Sequence, residues 1–139
     1  MAYNRFLYDE PQYNAGAASF ASLGTSTDAG STRSPFNHIM VAAPDGDLVL
    51  IYQNGGTELV YRISTDGGNT WGAERVIDSR TTVYASAIIN SATRHIHVVY
   101  SAHGNPPQTD EGVFYRPLVW DTGIADWFVG GEQTLAGGG

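Results

Sequence analysis

The chain has 139 residues, a formal net charge of −7 and no cysteine, and its seven basic residues are all arginine. This length predicts one domain with one core, and the acidic charge excludes the basic surface that binds DNA or RNA. The missing cysteines exclude disulfides, thiolate chemistry and cysteine-based metal sites. The 17 glycines and 8 tyrosines, with short runs of Val, Ile and Thr, predict an all-β chain with many turns.

Residues 1–33 predict an extended N-terminal arm. Five aromatic residues lie among them, whereas residues 24–34 are rich in Ser, Thr, Ala and Gly and poor in large apolar side chains. Such a segment gains little from burial within its own chain, so we expect it to be partly disordered or to dock on a neighbouring molecule. Residues 1–10 lack the pattern of a signal peptide, and no stretch approaches the ~20 apolar residues of a membrane span. We therefore expect no signal peptide, no transmembrane segment and no membrane insertion.

From residue 36 onward, short β-type runs alternate with turn residues. The first four predicted strands are 38–43, 48–53, 58–64 and 74–78. Turns rich in Pro, Asp, Asn and Gly join the first three strands, and these residues favour tight hairpins. We expect the four strands to pair as one antiparallel sheet.

The strongest turn signal is the stretch from Ser64 to Trp71, between the third and fourth predicted strands. Asp66 precedes paired glycines, so its carboxylate can fold back onto the following N–H groups, and a glycine accepts the positive φ of the turn. Thr70 can add a local hydroxyl bond, and Trp71 leaves the turn as a large apolar anchor. The residue pattern alone therefore predicts a turn locked by side chains.

This stretch resembles the Asp-box, or BNR repeat, of sialidase-like β-propellers. The defining positions Ser-x-Asp-x-Gly-x-Thr-Trp are filled by Ser64, Asp66, Gly68, Thr70 and Trp71. In that family the box is a structural turn between the third and fourth strands of a blade and takes no part in catalysis. The resemblance therefore implies a fold before it implies a function.

A second pass of strands is predicted at 83–90, 95–101, 112–120 and 132–135. Residues 48–52 match 96–100 at an offset of 48, and the Tyr-Arg pair at 61–62 matches the pair at 115–116 at an offset of 54. A degenerate second box keeps Asp121, Gly123 and Trp127. Residues 26–33 also echo the box but end in Arg33 in place of the tryptophan, so they are either a vestigial box or a chance match.

The resemblance covers residues 36–135 and implies two consecutive four-stranded blades, at about 36–78 and 83–135, within a module spanning 34–139. A propeller needs about 4 to 8 blades, because each blade buries its faces against its neighbours. Two blades leave two apolar faces bare, and the simplest closed ring has three copies. We therefore expect a homotrimer that completes a six-bladed β-propeller. The alternative is a monomeric β-sandwich of the same strands.

Candidate ligand-binding residues lie where the resemblance places the substrate end of a propeller. They are Arg33, Arg80, Asn54 and His103. The two arginines are 47 residues apart and each precedes a first strand, so a trimer would place six arginines around one opening, which favours carboxylate or sulfate groups. The alternative is that these arginines pair with nearby carboxylates such as Asp78.

The sequence predicts no metal site, cofactor or catalytic residue. His95 and His97 share a strand face but have no clear third ligand. Asp45 and Asp47 flank Gly46 in a pattern that suits Ca²⁺ and equally suits a plain hairpin turn. Sialidases spread an arginine cluster, a Tyr–Glu pair and an acidic group over most of a six-bladed chain, and two blades cannot supply that set in the family's arrangement.

These observations predict a non-enzymatic structural or recognition module. We expect a trimer whose arm, residues 1–33, docks it onto a larger assembly, such as the tail, fibre or head-attached part of a phage or virus. This places the protein on a virion or at an extracellular surface. The alternatives are a lectin-like glycan-binding protein and a sialidase-related glycoside hydrolase fragment.

Overall fold

The computed structural model describes residues 38–55, 58–104 and 111–137, which contain nine strands and no helix. The expected arm and Arg33 lie outside the described residues. The strands are β1 (His38–Ala42), β2 (Leu48–Asn54), β3 (Glu58–Ser64), β4 (Arg75–Asp78), β5 (Thr81–Ile89), β6 (Ile96–His103), β7 (Gly112–Asp121), β8 (Asp126–Val129) and β9 (Gln133–Gly137). The all-β prediction is confirmed.

The strands form two antiparallel sheets. Sheet A has the order β1-β2-β3-β4, and sheet B has the order β5-β6-β7-β8 with β9 also paired to β7. Neighbouring strands within each path are consecutive in the chain, as expected for two successive meanders joined by hairpin turns. Eight of the nine strands lie within two residues of their predicted positions, and β8 is the strand that the sequence did not predict.

β7 is long enough to carry two short strands on one edge. Its second half pairs with β8, and its first half pairs with β9. Between β8 and β9 the chain passes close to β7 at Gly130, whose N–H donates to the carbonyl of Pro117 over 2.8 Å. A Cβ on Gly130 would lie 2.7 Å from Cγ of Pro117, so this crossing requires glycine.

One hydrophobic core lies between the two sheets. Alternating side chains of β2, β3, β6 and β7 point into it, as the two-residue period of a strand requires. We call the sides that meet in this core the inner faces and the opposite sides the outer faces. The largest inner-face residues are Ile51, Leu59, Tyr61 and Ile77 of sheet A and Ile96, Tyr100, Leu118 and Trp127 of sheet B, all almost fully buried.

Polar contacts also tie the sheets together. The Tyr61 hydroxyl donates to the carbonyl of Trp127 over 3.2 Å, and Nε2 of Gln53 donates to the carbonyl of Thr82. Arg94, in the turn between β5 and β6, forms ion pairs with both carboxylates of the β1–β2 turn, Asp45 at 2.7 Å and Asp47 at 3.2 Å. Sheet A and sheet B therefore form one packed unit.

The two sheets repeat each other in strand register. Tyr52 is paired with Val60 in sheet A, and Tyr100 is paired with Phe114 in sheet B. The irregularity between Leu59 and Val60 in sheet A recurs between Val113 and Phe114 in sheet B. This register makes β9 the counterpart of β4, and it makes β8 an additional hairpin strand on sheet B.

Candidate functional site

The turn at Ser64–Trp71 is locked by side-chain hydrogen bonds around Asp66. Its carboxylate accepts the N–H of Thr70 at 2.8 Å, the Thr70 hydroxyl at 2.6 Å and the Ser64 hydroxyl at 2.8 Å. The Ser64 hydroxyl in turn accepts the N–H of Gly68 at 2.8 Å. Gly67 and Gly68 have φ values of 71° and 94°, the left-handed region that glycine tolerates without strain. The predicted locked turn is therefore present.

These hydrogen bonds stabilise the charged form of Asp66. The bonds from the Thr70 hydroxyl and backbone, followed by the bond from Ser64, lower the pKa of the carboxyl to about 2. Trp71 lies back over the turn, where its indole N–H donates to the carbonyl of Gly68 over 3.2 Å, and it stays partly exposed. The three hydrogen bonds that the Asp66 carboxylate accepts all come from residues of the same turn, which is the arrangement of a structural element.

The degenerate second turn has a different geometry from the first. Asp121 accepts the N–H of Gly123 at 2.7 Å, and the chain then enters β8, where Trp127 is buried. The bond from Gly130 N–H to Pro117 repeats a bond from Gly72 N–H to Ile63, also 2.8 Å. By this register Val129, and not Trp127, occupies the place of Trp71. The sequence alignment of the two tryptophans is corrected accordingly, since the longer second turn shifts the spacing.

A charged cluster lies where the β4–β5 connection meets sheet B. The Arg80 guanidinium forms ion pairs with Asp78 at 2.5 Å and with Glu132, and it stacks over Phe114 with its Cζ 3.9 Å from the ring centroid. Arg116 pairs with the same Glu132 at 3.2 Å. Two arginines therefore face two carboxylates, so the cluster is close to electrically neutral.

Tyr100 lies at the buried end of this cluster. Its hydroxyl is 2.7 Å from the Asp78 carboxylate and 3.0 Å from that of Glu132. Burial raises the pKa of the Tyr100 phenol, and the hydrogen bond to Asp78 raises it further. Burial opposes ionisation of Asp78, but hydrogen bonds from Arg80 and Tyr100 outweigh it and lower the pKa of that carboxyl. Tyr100 is thus a protonated hydrogen-bond donor at neutral pH.

Sheet A carries the counterpart of this cluster. Tyr52 donates to Glu74 over 2.5 Å, Arg62 donates to the Tyr52 hydroxyl over 3.0 Å, and Arg62 lies 3.9 Å from Glu74. Tyr52, Arg62 and Glu74 correspond to Tyr100, Arg116 and Glu132 in the repeat. The Tyr and Arg matches were predicted from sequence. The glutamates were missed, because the longer turn before Glu132 breaks the constant offset that would have aligned them.

The predicted ligand-binding residues are engaged in intramolecular contacts. Arg80 forms the ion pair with Asp78 that the sequence offered as its alternative role. The Asn54 side-chain amide donates to Glu74 over 2.7 Å, and Nδ1 of His103 lies 3.3 Å from the carbonyl of Gly104. Arg80 belongs to the sheet B cluster and Asn54 to the sheet A cluster, so the structure does not gather these residues into one site.

The candidate metal ligands have other partners. Asp45 and Asp47 both pair with Arg94, and Nδ1 of His97 lies 2.8 Å from the Tyr115 hydroxyl. Within the described ranges, no group of three or more His, Asp or Glu side chains is placed to hold a metal ion. The aspartates of the β1–β2 turn thus act in packing sheet A against Arg94 of sheet B.

The outer face of sheet B carries exposed apolar side chains. Ile88, Val99 and Val113 lie on it with their side chains open to solvent. Tyr84 and Val113 also line a shallow depression of about 550 Å³. Outer-face Met40 and Val76 of sheet A are likewise exposed, whereas Val60 on that face is fully buried outside the shared core. Each sheet therefore has exposed apolar side chains on its outer face, and on sheet A they lie beside the buried Val60.

Comparison with known proteins adds no family assignment. No protein-family model matches the chain, and no curated protein matches it at a significant level of similarity. The resemblance of residues 64–71 to the Asp-box therefore stays a prediction. Over the residues that the structure describes, no helix has the length and apolar character needed to cross a membrane.

Proposed function

We propose that the protein is a non-enzymatic structural module that assembles with two further copies into a closed ring of six stacked sheets. The observation that carries this proposal is the exposed apolar outer face of sheet B, formed by Ile88, Val99 and Val113. These residues are diagonal neighbours on β5, β6 and β7, and grouped exposed apolar side chains mark an interaction surface, because their exposure to water is unfavourable.

The way in which the two sheets meet supports a ring over a closed sandwich. Sheet A and sheet B approach each other most closely at their first strands, β1 and β5. Sheets that converge at their first strands can be arranged radially around an axis, with further sheets following on both sides. A sandwich would bury its two inner faces and gain nothing from apolar outer faces.

The chemistry of the two tyrosine clusters supports a structural role over catalysis. A nucleophilic or basic tyrosine requires a lowered pKa, whereas burial raises the pKa of both Tyr52 and Tyr100, and hydrogen bonds to glutamate or aspartate raise it further. Each glutamate also forms an ion pair with an arginine, Glu74 with Arg62 and Glu132 with Arg116. These groups hold strands together and leave no activated nucleophile among them.

The wider context of the ring is a larger assembly, to which residues 1–33 attach it. The support comes from the sequence, whose aromatic residues stand in a stretch otherwise poor in apolar side chains. A tail, fibre or head-attached component of a phage or virus has these features, and this placement rests on analogy with such assemblies.

Sedimentation equilibrium of the purified chain tests the ring. We expect a mass three times the 14.9 kDa of one chain at micromolar concentration. A variant lacking residues 1–33 should keep a mass three times that of its own shortened chain and lose incorporation into the assembly. A stable mass of one chain for the full-length protein would overturn the proposal.

A further inference from the structure

The outer face of sheet B repeats part of the inner face of sheet A, although His97 and Ser86 stand where sheet A has Val49 and Ile39. At three pairs of equivalent positions, the sheet A residue is buried in the shared core and the sheet B residue is open to solvent. The pairs, with relative exposure, are Val41 (7%) and Ile88 (70%), Ile51 (0%) and Val99 (37%), and Leu59 (2%) and Val113 (37%). The apolar character is the same in each pair, yet only the sheet A member is covered.

The outer face of sheet A corresponds in the same way to the inner face of sheet B. The outer face of sheet A carries Met40, Leu50 and Tyr52, and their equivalents on the inner face of sheet B are Ala87, Val98 and Tyr100. The sheet B residues pack in the shared core. The outer face of sheet A therefore has the pattern of a surface that receives another sheet.

From this equivalence we infer that the outer face of sheet B of one copy packs on the outer face of sheet A of a second copy. The inference rests on the proposed function and specifies its interface. Within one chain, the inner face of sheet A packs on the inner face of sheet B. Sheet B presents much of the sheet A inner-face pattern on its outer face, and sheet A presents the sheet B inner-face pattern on its outer face. The equivalent strands therefore meet again between copies, without the contacts that Tyr61 and Arg75 make to β8, which has no counterpart in sheet A.

The resulting interface is heterologous, with a different face of the chain on each side. Such interfaces close into a ring when the rotation per copy divides a full turn, whereas a pairing of two identical outer faces stops at a dimer. Polar groups fit this arrangement. The Tyr115 hydroxyl on sheet B lies 2.8 Å from Nδ1 of His97 in the same sheet, and the Arg62–Glu74 pair on sheet A is neutralised within its own sheet.

Charge substitutions test the two faces separately. Ile88→Asp places a carboxylate on the outer face of sheet B, and Met40→Asp places one on the outer face of sheet A, where Met40 is 60% exposed. Burial of an unpaired charge is unfavourable, so we expect each variant to weaken association at least about 100-fold. Ile124→Asp, at a residue 66% exposed in the β7–β8 turn, is the control and should keep the wild-type mass.

Circular dichroism checks that each variant keeps its β-sheet content. Loss of association in both face variants supports the junction. If Met40→Asp leaves the mass unchanged, the outer face of sheet A is not the partner surface, and the inference is overturned. That result would be expected if two sheet B faces paired, or if residues 1–37 of the same chain covered sheet A.

Cross-linking identifies which faces meet, and the absence of native cysteine makes it specific. Met40→Cys and Ile88→Cys are made singly and together and treated with a short bismaleimide. We expect a 1:1 mixture of the single variants to yield a cross-linked dimer containing both, and each single variant alone to yield none. Cross-linked dimers of Ile88→Cys alone would overturn the inference. The wild-type mass separately decides the ring, so an open head-to-tail dimer would refute three-fold closure and retain this junction.

Discussion

Asp66 stabilises its turn through its charge although its side chain is exposed to solvent. Three hydrogen bonds to its carboxylate hold the pKa at about 2, below the unperturbed value of 3.8. The folded state thus binds this proton less tightly than the unfolded chain. The contribution of Asp66 to stability is therefore fully present above about pH 4 and is lost as the pH falls towards 2.

Replacement of Asp66 by asparagine should remove this pH dependence. We expect Asp66→Asn to lower the melting temperature at pH 6, and we expect the difference from wild type to narrow as the pH falls from about 4 to about 2. Thermal unfolding of both proteins at several pH values measures this difference in melting temperature. Asn69→Ala is the control, because it removes a neutral hydrogen bond of the same turn, 2.7 Å from Nδ2 to the Asp66 carbonyl. An Asp66→Asn difference that stays constant over this range would contradict the prediction.

The hydroxyl of Tyr100 is the buried donor of the sheet B cluster. Tyr100→Phe keeps the ring against Phe114 and removes the donor that Asp78 and Glu132 share. We expect a loss of about 1–3 kcal/mol in the free energy of unfolding, because the buried Asp78 carboxylate loses a partner. Urea unfolding measures this loss. A change below about 0.5 kcal/mol would show that Arg80 and Arg116 satisfy the carboxylates without the phenol.

At the scale of elements, β8 is a strand of sheet B that has no counterpart in sheet A. It anchors Trp127, which is 2% exposed, packs edge-on against Trp120 with ring centroids 4.4 Å apart, and donates its indole N–H to the carbonyl of Arg94 over 2.9 Å. The Arg94 guanidinium in turn stacks on Trp120, with Cζ 3.5 Å from the ring centroid. β8 therefore helps to hold the turn that pairs with sheet A.

Removal of the Trp127 side chain tests this anchoring. We expect Trp127→Ala to cost about 3–5 kcal/mol of unfolding free energy, as for other buried large aromatic residues. Ile124→Ala, in the exposed turn just before β8, should change stability by less than about 0.5 kcal/mol. Chemical denaturation of both variants makes the comparison, and similar losses for the two would refute the anchoring role.

The sequence predicted strands well where apolar alternation and turn residues coincide. β3 has its predicted bounds, because a glycine-containing turn precedes it and the locked turn at Ser64–Trp71 follows it. β9 was predicted near its place although all its residues are exposed. β8 escaped prediction because its first two residues, Asp126 and Trp127, were interpreted as the end of a degenerate box.

The clusters were predictable only in part, for a related reason. The Tyr and Arg members recur at fixed offsets within strands that pair directly, so the repeat revealed them. Glu74 and Glu132 follow turns of different length, and only the pairing of β4 and β9 with the equivalent parts of β3 and β7 aligns them. Ile88 is exposed whereas its equivalent in sheet A, Val41, is buried. This difference depends on which face of each sheet packs in the core, and the strand pattern alone does not determine that face.

At the scale of the whole molecule, the shared core predicts that the two sheets unfold together. Inner-face residues such as Ile51 and Tyr100 belong to one buried cluster, so neither sheet has a complete core without the other. In Trp71→Phe, fluorescence from Trp120 and Trp127 reports sheet B, while far-UV circular dichroism reports both sheets. We expect the two urea transitions of this variant to share one midpoint, as two-state unfolding requires. Comparison within one variant cancels any effect of the substitution on stability, and separate midpoints would mean that each sheet is stable alone.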